Sequence, residues 1–555
     1  PPQFGYDPCD LHNLLENDIR AAALSFPPNT GQGADGLAPR AIARLSSQAL
    51  QALIALFLAF EASGNWCQAV NLVLIVLLPK PDGGRRPIGL FPTIVRIWMR
   101  VRIGIARQWE RAHDHDSLFA GPDMGAQKAS WQEAFAAESA SLAGLDYAQA
   151  LLDLVKAFET VPHWVLTEAA KLKGYPMAIL RLSLAAYRLA RSIGVDGVYS
   201  RVIVATRGIT AGSGFATSEL RVLMLDLINA LQARWANIII TKVYVDDLTL
   251  SIAGLPGKII RELAQAIDFA VHVLEDAMLM LVSAKKSKVV ASKPAIAAAV
   301  IKANNTDRTS IATISKLLGT DTVGGRRRST AGFRKRLCNL GGCMQRYKAL
   351  RKIGVNTTLM ARTAAVPAVM YGCETFGVSD SCLHSARVKI AMAASPAAAG
   401  RNPVLTLLAV DGSSGTLDPA FEAHAAVIRH WALAVWDRWF DKQHLQDTLN
   451  HARHKLAHAK GSWWSATSGP TTALVTTLRR IGWTCRDATT FVTDEGRILD
   501  LQTDPPVVVA NEAKHAVRRR RWGEADKLLP GLVPTDIDIG VLSTNRHRTV
   551  LVPCT

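Results

Sequence analysis

Apolar positions recur along this chain with two periods, and the switches between them mark out its elements. From Pro39 to Phe60, Ile42, Leu45, Leu50, Leu53, Ile54 and Phe57 share one face at helical spacing, which predicts core-facing helix. Leu72 to Leu78 is an unbroken apolar run and predicts a short strand ending at Pro79-Lys80-Pro81-Asp82-Gly83-Gly84. The Asp-Gly-Gly turn followed by Arg85-Arg86-Pro87-Ile88 predicts a hairpin whose return strand carries cations. Helical spacing resumes through Ile94, Ile97, Val101 and Ile105, and the small-residue stretch Ala134 to Ala150 also reads as helix. An apolar run then delivers Asp153 at its end, with a helix expected from about Pro162. Helices over Leu166 to Leu189, strands around Ile193 to Ala205, and a helix from Thr217 to about Ala233 follow. Lys242 to Leu250 reads as two strands meeting at a tight turn, and Lys258 to Met280 as one long amphipathic helix.

Length and composition narrow this picture. At 555 residues the chain has room for several domains, and 49% hydrophobic with 20% charged residues is the balance of a folded globular protein. Opening at Pro1 without a methionine is what a fragment or trimmed chain is expected to show. Its apolar runs, Ala49 to Phe60 and Leu72 to Leu78, fall short of the roughly 20 residues of a membrane span, and no signal-peptide pattern opens it. Eight scattered cysteines lay out neither a disulfide framework nor a zinc knuckle. An intracellular protein without a membrane partner is expected, in nucleus or cytoplasm if the source is eukaryotic. With 64 Lys plus Arg against 46 Asp plus Glu, the formal charge of +18 favours a polyanionic partner.

The candidate chemistry lies in Tyr244-Val245-Asp246-Asp247. Two adjacent carboxylates on an apolar hairpin repel each other with little solvation, and a divalent cation taking hard oxygen ligands resolves that repulsion. A solvated Asp-Asp turn is the plain alternative for the pair alone. Asp153 at the exit of an upstream strand, the glycine-rich Arg207 to Gly214 loop before a helix, and the lysines of Ala284-Lys285-Lys286-Ser287-Lys288 add weight. From Arg326 the chain turns strongly basic, with Arg326, Arg327, Arg328, Arg334 and Lys335 interleaved with apolar residues, a helical face suited to tracking a phosphate backbone. Beyond Ala394 a linker precedes a Trp- and His-containing helical segment and a helix-plus-hairpin unit near Ala473 to Leu501. His451, His454 and His458 at helical spacing read as a solvated or packed face. Arg518 to Arg521 reads as a nucleic-acid contact or a solvated tail.

Taken in order, these pieces resemble the reverse transcriptase domain, and within it the non-LTR retrotransposon branch. Lys80-Pro81 with Arg86-Pro87-Ile88 resembles the fingers motifs, and Asp153-Leu154 through Ala157-Phe158 to Val161-Pro162-His163 the first palm motif. Tyr244-Val245-Asp246-Asp247 matches the YxDD box; Lys286-Ser287-Lys288 and Leu318-Gly319 resemble the two motifs after it, and Ala34-Asp35-Gly36 an extra N-terminal motif. The resemblance implies an α+β right-hand polymerase, with N-terminal extension and fingers over 1–144, palm over 145–320, a basic helical thumb over 321–393, and a mostly helical region of unknown role over 394–555.

It further implies that Asp153, Asp246 and Asp247 hold two Mg²⁺ ions, or Mn²⁺, with the Leu154 carbonyl as an extra ligand and Lys286 as proton donor to pyrophosphate. Lys80 and Arg86 would hold the triphosphate, Phe158 would exclude a ribose 2′-OH, Gly212 would border the nucleotide, and Tyr244 would support the primer end. The implied partners are an RNA template, a DNA primer or target, and dNTPs. One position departs from the pattern: Ala211 stands where the family usually has Gln before Gly212. The competing readings are a decayed or domesticated RNA-binding palm without catalysis, and a group II intron or retron-type enzyme.

Overall fold

The computed structural model describes residues 11–80, 83–121, 124–396, 400–411 and 416–531, so Pro81 and Asp82 of the expected turn lie outside it. Two sheets and two hydrophobic cores organise these residues. The first sheet is built on β1 (Leu72–Pro79), which pairs antiparallel with β2 (Arg85–Leu90) and parallel with β4 (Ala190–Val195). A short β5 (Val198–Tyr199) completes the order β2-β1-β4-β5.

The second sheet is the larger one. Its central strand β3 (Asp146–Leu152) is flanked by β7 (Asp247–Gly254) and β8 (Lys288–Ala291), with β6 (Ile240–Tyr244) and β9 (Ser310–Ile311) outside them. Every residue of β3 is buried, because helices cover the sheet. The helix Pro256–His272 presents Ile259, Leu263, Ile267 and Val271 to the same core as Ala148, Ala150 and Leu250.

Several elements differ from the pattern-based expectation, each for a local reason. Residues 146–150 are strand, because the preceding helix Ala126–Leu142 stops before Gly144, whose φ of 78° no helix accommodates. The helices expected over Leu166 to Leu189 are His163–Leu172 and Met177–Tyr187, separated at Gly174 and Pro176. Helix ends at His272 and passes into a π-turn over Val273–Ala277 rather than continuing to Met280. The unit after Ala473 is a three-stranded meander of β12 (Thr484–Asp487), β13 (Thr490–Val492) and β14 (Ile498–Asp500), and a separate two-stranded hairpin, β10 (Ser315–Leu317) with β11 (Thr320–Thr322), lies upstream.

The helix Ala126–Leu142 lies between the five-stranded sheet and the second core. Trp131 and Phe135 are buried in the second core, which gathers residues from Leu340 to Val517 on both sides of Ala394. Trp131 packs edge-on to Trp431 at 6.3 Å, and Phe135 tilts against Phe440 at 4.4 Å. On the same helix Glu138 is fully buried and accepts hydrogen bonds from the Thr471 N–H at 2.6 Å, the Thr472 N–H at 3.2 Å, and the Ser468 and Thr472 hydroxyls. It thereby satisfies the first free amides of the helix Pro470–Arg480, where the helix dipole also favours a negative charge. Most of the side chains of Arg518 to Arg521, read from sequence as a nucleic-acid contact or a solvated tail, meet acidic partners within the fold. Arg521 is buried against Asp418, Arg519 pairs with Asp494 and Glu495, and Arg520 pairs with Glu524.

No described helix is long and apolar enough to cross a membrane. Replacing Glu138 by Ala leaves the Thr471 and Thr472 amides and the Ser468 hydroxyl without this acceptor, a loss of about 3–5 kcal/mol on the scale of broken buried charge networks. In a denaturant melt Glu138→Ala is expected to lower the midpoint sharply and Glu138→Gln less; equal midpoints for wild type and Glu138→Ala would refute this role.

Candidate active site

The carboxylates come together because β3 and the β6–β7 hairpin run side by side and end at one edge. Leu152 of β3 lies opposite Leu248 of β7, so Asp153 leaves its strand next to Asp247. Tyr244 and Asp247 face each other across the hairpin, which leaves Val245 and Asp246 as a two-residue connection. Such a turn requires positive φ at its first central residue, normally a glycine. Here Val245 adopts φ 61°, a conformation that costs a β-branched residue about 1–3 kcal/mol. Its side chain packs against the first core, which holds the hairpin tip in place.

A third segment closes the edge. Val155 N–H donates to the Leu281 carbonyl at 2.8 Å, and Ser283 N–H donates to the Asp153 carbonyl at 2.7 Å. Ser287, fully buried, accepts the Asp153 N–H at 3.1 Å, and Lys286 Nζ reaches Asp153 Oδ1 at 2.9 Å. Leu154 is buried in a bridge to Val282. A cavity of about 70 Å³ is lined by Asp153, Asp247, Lys286 and the Ser315 to Leu318 segment. That volume admits an ion with part of its hydration shell, since a water occupies roughly 30 Å³.

Charge is concentrated here against its own repulsion. Burial first, then the charges of Asp246 and Asp153, push Asp247 up to about 6, with Lys286 opposing. Burial likewise raises Asp246, helped by Asp153 and Glu159 and resisted by its own backbone N–H and by Lys286. The hydrogen bond to Asp153, followed by the charges of all three acids, raises Lys286 and keeps it an ammonium. Among the described residues no three His, Cys, Asp or Glu side chains are preassembled around a metal position. The donor chemistry nevertheless fits a hard divalent cation: the acids repel one another, offer only oxygens, and two of them share a water-sized cavity.

The glycine-rich loop ties this edge to the first sheet. Gly208 N–H donates to Val161 O at 2.8 Å and Ile209 N–H to Phe158 O at 2.7 Å, while Gly89 N–H of β2 donates to Ala211 O at 2.6 Å. A Cβ on Gly212 would stand 2.3 Å from Gly89 O, and one on Gly208 2.6 Å from Glu159 O, so both positions require glycine. Ala211 thus meets β2 through its backbone. Phe158 packs partly buried beside the core. The N-terminal Ala34-Asp35-Gly36 segment supports the same corner, with Asp35 Oδ2 accepting the Thr93 N–H at 2.5 Å at the start of the helix Thr93–Ala112.

Other sequence candidates fall elsewhere. Lys80 and Arg86 are exposed on the β1–β2 hairpin, and neither is ion-paired among the described residues. Tyr244 lies near Tyr371, whose hydroxyl donates to Leu318 O at 2.8 Å. Arg326 pairs with Asp146 at 3.2 Å, at the far end of β3. Arg328 packs over the Trp464 ring at 5.5 Å, while Arg327, Arg334 and Lys335 are exposed. Three participants escaped the pattern-based reading. Ser287 and Glu159 lay inside quoted motifs without an assigned role, and Tyr371 is brought in only by tertiary packing, which leaves no local signal.

Residues 78–315 match the family model described as reverse transcriptase (RNA-dependent DNA polymerase). A reverse transcriptase domain is therefore present in this chain. Among solved structures the chain is similar to a telomerase from Candida albicans in complex with a TWJ fragment of telomeric RNA, at 11% identity and a TM-score of 0.37 over 75% of this chain and 69% of that one. It is also similar to an apo telomerase from Candida tropicalis truncated from its C-terminal domain, at 11% identity and a TM-score of 0.33. That match covers 53% of this chain and 61% of the other, less than two thirds of its length. No curated protein matches the sequence.

The raised carboxyl of Asp247 gives a test with a definite sign. Its proton is held more tightly in the folded state than in the unfolded chain, so its charge costs stability as pH rises from about 4 to about 6. Asp247→Asn is expected to stabilise the metal-free protein at pH 7.5 by about 1–2 kcal/mol, discounted for solvent contact, with the gain shrinking below pH 6. Thermal melts in EDTA across that range measure it; a pH-independent difference would sink the assignment.

Proposed function

We propose that this chain is the RNA-directed DNA polymerase of a retroelement, of the non-LTR type, copying RNA into DNA by two-metal nucleotidyl transfer. The observation that carries the reading is the convergence of Asp153, Asp246, Asp247 and Lys286 at one edge of the five-stranded sheet, inside the matched domain. In this reading Asp153, Asp246 and Asp247 hold two Mg²⁺ ions, with the Leu154 carbonyl beside them. The chemistry such ions supply when bound is activation of the primer 3′-oxygen and stabilisation of the leaving pyrophosphate. Lys286, kept protonated by the acids, holds a proton at Nζ for that pyrophosphate. Lys80 and Arg86 extend from an exposed hairpin to the triphosphate, where positioning and electrostatics do most of the catalysis.

Phe158 stands against the sugar and excludes a 2′-hydroxyl, Gly212 lets the nucleotide approach the β2 backbone, and Tyr244 supports the primer end. Lys335 tracks the phosphates of the growing duplex. The partners are an RNA template, a DNA primer and dNTPs. One observation supports the alternative of RNA binding without catalysis: Ala211 offers no side-chain amide to the nucleotide pocket.

Primer extension on an RNA template with Mg²⁺ decides between them. Wild type is expected to extend with dNTPs and Asp246→Ala to fall to background; equal background from both would leave the binding reading standing. In the same assay Phe158→Ala is expected to raise ribonucleotide incorporation about 10–100-fold, the equivalent of roughly 1–3 kcal/mol of discrimination. An unchanged dNTP-to-NTP ratio would remove Phe158 from the sugar gate.

A further inference from the structure

Two basic segments far apart in sequence converge on one aromatic surface behind the five-stranded sheet. The Arg328 N–H donates to Thr467 O at 3.2 Å, which pins the Arg326 to Arg328 run beside the helix Trp463–Ala466. Arg479 stacks over the Trp463 ring at 4.0 Å, and Arg480 and Arg328 lie over the Trp464 ring at 4.4 and 5.5 Å. Trp464 is buried and serves as the foundation; Trp463 is half-buried and Arg479 exposed, and they form the outer layer. Arg327 and Arg334 are exposed alongside.

The cations outnumber their local counter-ions. Asp380 pairs with Arg480 at 3.0 Å and Asp146 pairs with Arg326, while among the described residues Arg327, Arg328, Arg334 and Arg479 have no carboxylate partner. Burial lowers Arg328; Cys382 opposes that shift, and the nearby charge of Arg334 adds to it. The contrast is the Arg518 to Arg521 run, equally basic in sequence, whose charges are spent on Asp418, Asp494, Glu495 and Glu524.

Position separates this surface from the carboxylate edge. Arg326 contacts Asp146, the first residue of β3, whereas Asp153 follows the last. Seven residues of extended chain at about 3.3 Å each put roughly 20 Å of sheet between them. We propose that Trp463 and Arg479, flanked by Arg327 and Arg334, form a second nucleic-acid site that takes a single strand away from the polymerase edge. A guanidinium stacked on an indole is a flat cationic platform on which a base stacks, while its outward N–H groups and its neighbours reach the flanking phosphates. The proposal rests on the polymerase reading only in that the chain handles polynucleotides.

The test pairs two substrates in the full chain: a fluorescent 40-nucleotide oligouridylate followed by anisotropy, and a hairpin primer–template with a four-nucleotide overhang that only the carboxylate edge accommodates. Arg479→Glu is expected to weaken the 40-mer about tenfold and to reduce the slope of log K against log salt by about 0.7, one phosphate contact on a single strand. Trp463→Ala is expected to weaken it about 5- to 100-fold with an unchanged salt slope, as loss of one stacked base does. Both variants are expected to extend the hairpin at the wild-type rate, which also reports that they are folded. Unchanged 40-mer affinity and slope in Arg479→Glu, with hairpin extension intact, would overturn the site and leave the polymerase reading untouched. Weakened 40-mer binding in a protein that extends no hairpin would support the site and sink the polymerase reading instead.

Discussion

The geometry of this molecule depends on one helix whose carboxylates are buried on two sides. From Ala126–Leu142, Glu133 accepts from Lys242 of β6 and Tyr147 of β3, and Glu138 accepts from the start of the helix Pro470–Arg480. Trp131 and Phe135 fill the core between them. Charges sunk this deeply are strongly destabilising once a partner is missing, so they tolerate little displacement of either neighbour. The sheet that carries the acids and the helical region behind it are therefore fixed relative to one another. Neither can shift without leaving a buried carboxylate unpaired.

On that rigid base, the carboxylate edge concentrates three like charges and a strained turn in one place. Burial and mutual repulsion raise Asp246 and Asp247, and Val245 holds a backbone conformation unfavourable to it. The compensation comes from elsewhere: from Lys286, from Ser287 beneath Asp153, and from the apolar packing under Val245. A site that pays in stability for its electrostatics is what a catalyst of phosphoryl transfer requires, because there positioning and charge do most of the work.

How much of this could be read from sequence follows from the range of the interactions. The β6–β7 hairpin was legible because its signal is local: two apolar runs and a tight turn. Asp153 was legible as the acid at a strand exit, and the reverse transcriptase domain as an ordered set of short motifs. The strand over 146–150 was read as helix because alanines there carry no strong preference, and only the glycine stop at Gly144 separates the two states. The roles of Ser287 and Tyr371 depend on partners more than a hundred or about fifty residues away, as in Ser287 with Asp153 and Tyr371 with Leu318. Basic runs were the least decipherable. Arg326 to Arg328 and Arg518 to Arg521 look alike as composition, and only the carboxylates that fold against them distinguish a free surface from an internal strut.

The burial of Trp131 in the second core also bears on how the chain is made. Its ring packs against Trp431, about 300 residues later. At a synthesis rate of about 5–20 residues per second, that interval lasts roughly 15–60 s. The five-stranded sheet is complete only at Ile311, so for about the last 120 residues of that interval, roughly 6–24 s, it carries an uncovered face bearing Trp131 and Phe135, together with the unmatched Glu138 carboxylate. The nascent chain is thus at its most adhesive after its carboxylate edge has formed and before its last helices emerge, which makes that interval the one in which a ribosome-associated chaperone has most to shield.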